Sequence, residues 1–276
     1  MFDNHATTTI SAVIITKNEE DNIERCITSV QFADEVIVVD AESKDDTAAI
    51  AKKMGARTFV RPWPGYGPQK NFGAAQATSE WLLFLDADEE VSPKLADEIR
   101  GVITNPQKDY YWLKIVSVFL HKHLHHLYGH DPRLFRKSAG AWTSYHVHEQ
   151  IQTNFGQVIR LGDKLSGVLA HPLYHHTHES VNAFLRQVAE YTALDAQYMS
   201  KENRHRSGRK VSPSWHLPFY LSTRQFGKLY FYKKGILDGY AGFMWSVLGG
   251  YYEYLTAKKY LHIKSGKRTS HEPVLR

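Results

Sequence analysis

The chain has 276 residues, 42% of them hydrophobic and 23% charged, which excludes a disordered chain and allows one sizeable core or a core with an appendage. The net charge of +5 is unevenly placed: residues 201–276 carry 15 Lys and Arg against 4 Asp and Glu, while residues 1–200 carry 19 against 25. Basic excess confined to one end suits an anionic partner, either nucleic acid or a membrane surface.

In chain order, Ile10–Thr16 (ISAVIIT) is a short β-branched run and predicts a buried strand. Ile23, Ile27 and Val30 share one face of a helix within Glu20–Val30, which also contains Cys26, the only cysteine. One cysteine allows no internal disulfide and fits a reducing compartment. The opening MFDNHATTTISAVIIT lacks a basic start followed by a long apolar run, so no secretory signal is expected. Strands are predicted at Glu35–Asp40, Arg57–Arg61 and Trp81–Leu85, and helices at Lys44–Met54 and Gln69–Ala77. Ser92 caps a further helix, Pro93–Ile103, with proline at its first position. Such alternation predicts an α/β fold with a mostly parallel, Rossmann-like sheet. A long strand at Tyr110–Phe119 follows, then a histidine-rich stretch and irregular sequence to about Leu173. Ser180–Met199 reads as a helix and Lys201–Lys210 as a polar linker. Between Trp215 and Tyr260 lie 14 of the 35 aromatic residues, so a catalytic domain at 1–205 and a helical, aromatic and basic appendage at 206–276 are expected.

Ligands of open α/β sheets sit beyond the carboxyl ends of the strands. Here those ends read TKNEE, then Asp40, then Asp86-Ala87-Asp88. No G-x-G-x-x-G follows the first strand and no G-x-x-x-x-G-K-[ST] occurs, so the dinucleotide fingerprint and the P-loop are excluded. Two carboxylates two residues apart can share a hard divalent cation, which in turn binds diphosphate oxygens. The rival reading of the same acids is a solvated turn.

The strings AVIITKNEEDNIERCITSV, FADEVIVVDAESKDDT, GPQKNFGAAQATSEWLLFLDADEEVS and RLFRK…VHE resemble glycosyltransferase family 2, in particular its lipopolysaccharide inner-core branch. The resemblance implies a GT-A fold, a UDP-sugar donor, Mg²⁺ or Mn²⁺, inversion at the anomeric carbon and a lipid-linked acceptor such as the lipopolysaccharide core. It implies that Thr16, Asn18, Glu19, Asp40, Lys70, Asp86 and Ala87 line the nucleotide-sugar pocket, with Asp88 and Asp86 at the metal. Glu149, in Val147-His148-Glu149, is the candidate base, and Asp131 the second candidate. Arg133 and Arg136 are expected to contact phosphate or pair with local acids. Of the histidines, His121, His123, His125 and His126 are expected on a solvated or acceptor-facing surface, with zinc the alternative, and His175 is the best placed of a second cluster for a metal. The uncharged stretch Tyr240–Tyr252 is too short to span a bilayer, and its glycines weaken it as a helix. Flanked by Lys233, Lys234, Lys258 and Lys259, it is expected at an anionic membrane surface, peripheral on the inner face of the inner membrane, with packing on the catalytic domain as the alternative. No nucleic acid is expected as a partner. Rival functions are a nucleotidyltransferase of related fold and a nucleic-acid-binding protein using the basic C-terminus.

Overall fold

The computed structural model describes residues 8–144, 149–178 and 181–266. Val147 and His148 of the V-H-E string and Ser180 lie outside the described residues. The chain divides into two units, one formed by residues 1–116 and 128–176, the other by 117–127 and 177–276.

The first unit holds β1 (Ile10–Thr16), α1 (Ile23–Ser29), β2 (Glu35–Asp40), α2 (Thr47–Lys53), β3 (Arg57–Val60), α3 (Tyr66–Gln76), β4 (Trp81–Asp86), β5 (Glu89–Val91) and α4 (Pro93–Thr104). Then come β6 (Tyr110–Phe119), β7 (Lys122–Arg136), β8 (Gly140–Trp142), β9 (Ile151–Thr153) and β10 (Ser166–His178). The main sheet has the order β3-β2-β1-β4-β7-β6-β10-β5. The β3-β2-β1-β4 part is parallel, whereas β7 runs antiparallel to β4 and β5 antiparallel to β10. The expected α/β class and its parallel half are present, and the second half makes the sheet mixed.

Alternating residues of the strands feed two cores. Ile10, Ala12 and Ile14 of β1, with Leu83 and Leu85 of β4, pack with residues of α1, α2 and α4. Val13 and Ile15, with Leu82 and Phe84, pack with residues of α3 and with Trp142 and Ile151. Because both faces are covered, β1 is buried at every position, as a continuous apolar run requires. Each such side chain contributes about 1.5–3 kcal/mol. Helix α4 starts as the sequence predicts, with Ser92 accepting a hydrogen bond from the Leu95 N–H at 3.3 Å.

The segment expected to be irregular up to Leu173 instead contributes the two long strands β7 and β10. Pro132 and four histidines interrupt the alternation of β7, so its sequence carries no clean strand period. Between β6 and β7 the connection is only Leu120 and His121, both at positive φ, the pattern of a type I′ hairpin turn. Neither is the glycine or asparagine that such a turn favours, which hides it in the sequence.

In the second unit, α5 (Val181–Glu202), α6 (Leu217–Gly227) and α7 (Gly239–Lys264) form a helical packing completed by a π-helical turn at Lys228–Tyr232 and a 3-10 turn at Gly235–Asp238. Helix α5 lies before the boundary expected at 205/206, yet shares a core with the C-terminal helices: Ala196 and Met199 pack with Leu221, Ala257 and Tyr260. A second cluster joins Phe119, Leu124 and Leu127 of the hairpin to Ala241 and Leu248 of α7.

Two expectations for this region are corrected. Lys201–Lys210 is no free linker. His205 Nε2 lies 2.9 Å and Arg206 Nη2 2.8 Å from the carboxylate of Glu253, which is buried in α7. The stretch Tyr240–Tyr252, whose glycines are expected to weaken it as a helix, lies wholly within α7. A Cβ on Gly242 would stand 2.0 Å from the Gly235 carbonyl oxygen, so glycine is what allows that close approach. Lys259 also turns inward, donating to Thr192 Oγ1 of α5 at 2.8 Å. Among the described residues no helix is long and apolar enough to cross a membrane.

Glu35, at the start of β2, ties three segments of the first unit together. Ser11, the Thr78 N–H and hydroxyl, and Arg57 all donate to its carboxylate. Burial works against the charge, but these bonds prevail and hold its pKa at about 2, down from 4.5. The unfolded chain therefore binds this proton first, and stability falls as pH drops from about 4.5 towards 2. In urea titrations across that window, Glu35→Gln is expected to be less stable than wild type at neutral pH and to lose less stability on acidification. A parallel pH dependence in the two chains would refute the role of Glu35.

Candidate functional site

Strand order reverses between β1 and β4, and the carboxyl ends of the strands at such a point are the usual ligand position of open α/β sheets. Register sets what stands there. Thr16 pairs with Asp40 across β1 and β2, and Ile15 with Asp86 across β1 and β4. The sequence-predicted residues Thr16, Asp40 and Asp86 are thus neighbours at one sheet edge.

Asn18 follows β1 in the left-handed region, at φ 53, a conformation asparagine tolerates better than most residues. Its Oδ1 accepts from the Lys44 N–H at 2.7 Å, and its own N–H donates to Ser43 Oγ at 2.8 Å. Ser43 in turn donates to both oxygens of Asp40, from its N–H at 3.0 Å and from its hydroxyl. Asp40 is buried, so this network fixes its carboxylate at the end of β2. The Glu19 N–H is bound by Thr47 Oγ1 at 2.8 Å, and burial raises the Glu19 carboxyl above its ordinary range. Thr16 Oγ1 is buried without a hydrogen-bond partner.

Each acid of the turn after β4 has a basic side chain against it. Arg133 Nη2, on β7, lies 2.9 Å from Asp86 Oδ2 and 2.7 Å from Glu89 Oε1. His175 Nε2 lies 3.0 Å from Asp88 Oδ2, and His176 Nε2 lies 2.8 Å from Glu90 Oε2. Strand β5 delivers these pairs: it opposes β10 with Glu89 facing His175 in register, and the His176 N–H donates to the Asp88 carbonyl at 2.9 Å. Ala87 is buried in the core with Val91 and Leu95, so the residue between the two aspartates anchors the turn.

Burial works against the charge on Asp86, but Arg133 and then Lys70 outweigh it and hold the carboxyl well below the usual carboxylate range. Burial pushes Glu89 upward despite Arg133. For His175 burial favours the neutral ring, but Asp88, followed by Glu89 and Asp86, raises its pKa to about 9.

Lys70, on α3, is buried and lies 2.6 Å from Glu149 Oε1 and 3.9 Å from Asp86 Oδ1. Its ammonium also sits 4.5 Å from the centre of the Trp142 ring. Trp142 is held in turn by Asn71, whose side chain donates to its carbonyl at 2.8 Å and accepts from its N–H at 2.9 Å. A Cβ on Gly67 would stand 1.9 Å from the Thr143 carbonyl oxygen, so the first turn of α3 needs glycine to approach that strand end. Glu149, Lys70 and Asp86 thus form one row. Asp131 stands apart from it, exposed and 3.6 Å from Arg133. Arg136 pairs with Asp109 and Glu80 and takes no part.

The sequence leaves Arg133 open between phosphate and local acids, singles out neither Glu89 nor Trp142, and shows His176 only as a member of the second histidine cluster. What pairs Glu89 and the histidines is register between two strands, and β10 has no clean strand period in the sequence. The other histidine group lies in the second unit, where His126 Nδ1 is 2.9 Å from Asp238 Oδ1 and the rings of His123 and His125 meet edge to face at 5.6 Å. Among the described residues no three His, Cys, Asp or Glu side chains converge to hold a metal by themselves.

The profile of Glycosyl transferase family 2 matches residues 11–160, which include the acidic turn, Lys70 and Glu149. An uncharacterized glycosyltransferase of Rickettsia felis is 32% identical over 266 residues, covering 91% of this chain and 88% of its own. The lipopolysaccharide core biosynthesis glycosyltransferase LpsC of Rhizobium meliloti is 28% identical over 267 residues, covering 91% of each chain. Among solved structures, S. aureus TarS 1-349 in complex with UDP-GlcNAc is 15% identical, covers 96% of this chain and 94% of that one, and has a TM-score of 0.47. The chain belongs to glycosyltransferase family 2. Its sheet and C-terminal helices are the GT-A type architecture that the resemblance implies.

Removing Arg133 would leave Asp86 and Glu89 without their shared cation in a buried place. Arg133→Met is therefore expected to destabilise the chain by about 3–5 kcal/mol in urea unfolding. Adding Glu89→Gln should recover part of that loss, because one of the two orphaned charges is gone. If Arg133→Met is as stable as wild type, the guanidinium does not hold the turn.

Proposed function

We propose that this glycosyltransferase moves a hexose, expected to be glucose, from a UDP-sugar to a lipid-linked acceptor of the lipopolysaccharide core, with inversion and with a divalent cation bound at the acidic turn. The observation that carries the reading is the row Glu149–Lys70–Asp86 at 2.6 and 3.9 Å, at the strand ends where a diphosphate would lie. The relative LpsC, named for lipopolysaccharide core biosynthesis and matched over 91% of both chains, supports the acceptor class.

The residues present fit Mg²⁺ or Mn²⁺. Asp86 and Asp88 offer hard carboxylate oxygens, and Asp86 Oδ1 is buried without a hydrogen-bond partner. Two carboxylates with the remaining positions filled by phosphate and water is how such ions are commonly held. Bound there, the cation supplies positive charge to the departing diphosphate. His175 orients the Asp88 carboxylate through its 3.0 Å contact. Asp40 and Asn18, fixed by Ser43, offer acceptors to the base and ribose, and Thr16 and Glu19 complete that wall.

In the reaction, the acceptor hydroxyl oxygen attacks the anomeric carbon as its bond to the diphosphate oxygen breaks, and the diphosphate leaves with the electron pair. Glu149 takes the hydroxyl proton. Its carboxylate is engaged by Lys70 at 2.6 Å. A donor diphosphate competes for that ammonium, so donor binding both occupies the cation and frees the base. The reading also sets the enzyme at an anionic membrane, the cytoplasmic face of the inner membrane, where a lipid-linked acceptor would lie.

Asp88→Ala is expected to abolish transfer and to remove the metal-dependent part of the thermal shift given by UDP-sugar. Wild-type activity should vanish with a chelator and return with Mg²⁺ or Mn²⁺. Full activity of the variant, or indifference to chelation, would overturn the metal role. Glu149→Gln should keep donor binding while turnover falls by about a hundredfold or more. Loss of turnover in Asp131→Asn but not in Glu149→Gln would reassign the base.

A further inference from the structure

Helices α6 and α7 are joined by a turn that exposes large apolar side chains and acts as no linker. Phe231 is 64% exposed, Tyr232 82%, Leu237 64% and Tyr240 71%, with Ile236 beside them at 49%. Five such residues within ten positions are not the scattered exposure of an ordinary surface. The turn is also built to present them. Tyr230 stacks on Phe226 with ring centres 5.3 Å apart and meets Phe243 edge to face at 5.7 Å, and Phe231 meets Phe226 at 6.2 Å. Gly235 is buried against Leu127 of the hairpin. The 3-10 turn is pinned there because the His126 N–H and ring both reach the Asp238 carboxylate.

Charge narrows the occupant. Lys228, Lys233 and Lys234 lie in the same turn, and Lys122 lies in the hairpin tip of this unit. The one acid, Asp238, is bound to His126, so the charge displayed is positive. Tyrosine with an apolar ring and a polar tip, interleaved with lysine, is the composition of a bilayer interface. A second copy of the chain would set this positive charge against its own kind.

We propose that the turn of residues 228–240 is where the protein docks on an anionic phospholipid surface, its aromatic and aliphatic side chains entering the headgroup region and its lysines meeting lipid phosphate. The proposal rests on the membrane reading given above and relocates it. In the expected stretch Tyr240–Tyr252, Ala241, Gly242, Ser246, Leu248 and Gly250 are buried in the helical packing while Phe243, Val247 and Tyr251 are only partly exposed, and Lys259 is turned onto α5.

The test uses the full chain with vesicles of phosphatidylcholine alone or mixed with phosphatidylglycerol. Wild type is expected to sediment with the anionic vesicles, and Phe231→Ser with Leu237→Ser to lower that partition by about tenfold or more. Lys228→Gln with Lys234→Gln should lower it by about tenfold at low salt and much less at high salt. Because Cys26 is fully buried, an environment-sensitive dye on Leu237→Cys reports that position alone. Its emission should shift to the blue on anionic vesicles, while a dye on Val60→Cys, in the first unit, should not respond. Wild type that binds no vesicle yet glycosylates a lipid-free acceptor would overturn the membrane reading itself. Wild type that binds, with no response at position 237 and no loss in the serine variant, would overturn only this docking site. A dimer dissociated by the serine variant, without vesicle binding, would assign the turn to a second copy and overturn the proposal.

Discussion

Four carboxylates within five residues, Asp86, Asp88, Glu89 and Glu90, would repel one another and open the turn after β4 if Arg133 were not held between Asp86 and Glu89. The guanidinium suits the task because it stays charged when buried and donates in a fixed plane to both acids. It comes from β7, the strand that runs antiparallel to β4, so the mixed half of the sheet exists in part to bring this cation to the end of the parallel half. Strand β10, paired with β5, supplies His175 and His176. The acidic turn is therefore braced by the chain's own side chains, so an ion or diphosphate bound there as proposed would meet a turn already ordered.

How much of this is legible in the sequence follows from the range of the interactions. The β-branched runs and helical faces of the first hundred residues report themselves locally, and the elements stand close to where periodicity puts them. Asp40, Asp86 and Asp88 are legible because they sit at strand ends, a position fixed by local pattern. Lys70 and Glu149 are 79 residues apart, and their contact at 2.6 Å depends on Gly67 letting α3 approach Thr143. That contact is invisible to any local rule. Strand β7 is illegible for another reason: its histidines and Pro132 obscure the period, and its register with β4 is set by the partner strand. In the C-terminal region the glycines of α7 look like helix breakers until the Gly235 carbonyl is seen at the position a side chain would fill.

The helical unit shows how a buried charge can specify a packing. Glu253 sits in a stretch otherwise free of charge, and its two oxygens are claimed by His205 and Arg206. Arg206 also reaches Asp195 on α5 at 3.4 Å and lies over the Tyr252 ring at 4.7 Å. An apolar residue at 253 could slide along the neighbouring helix, whereas a carboxylate with these partners accepts one register. Burial raises the Tyr252 hydroxyl, whose proton is given to Asp195 at 2.8 Å, so this bond persists across the physiological range.

The hairpin between β6 and β7 has a bearing on how the chain could be cut or exchanged. Phe119, Leu124 and Leu127 enter the core of the helical unit although they precede its first helix by more than fifty residues. A fragment starting anywhere after β10 would lack that plug and expose the apolar faces of Ala241 and Leu248. The fragment left behind would carry the same apolar side chains without their partners. The helical unit is thus assembled from two stretches of sequence, 117–127 and 177–276. Shuffling the C-terminal helices between relatives as a cassette would succeed only if the hairpin tip travelled with them.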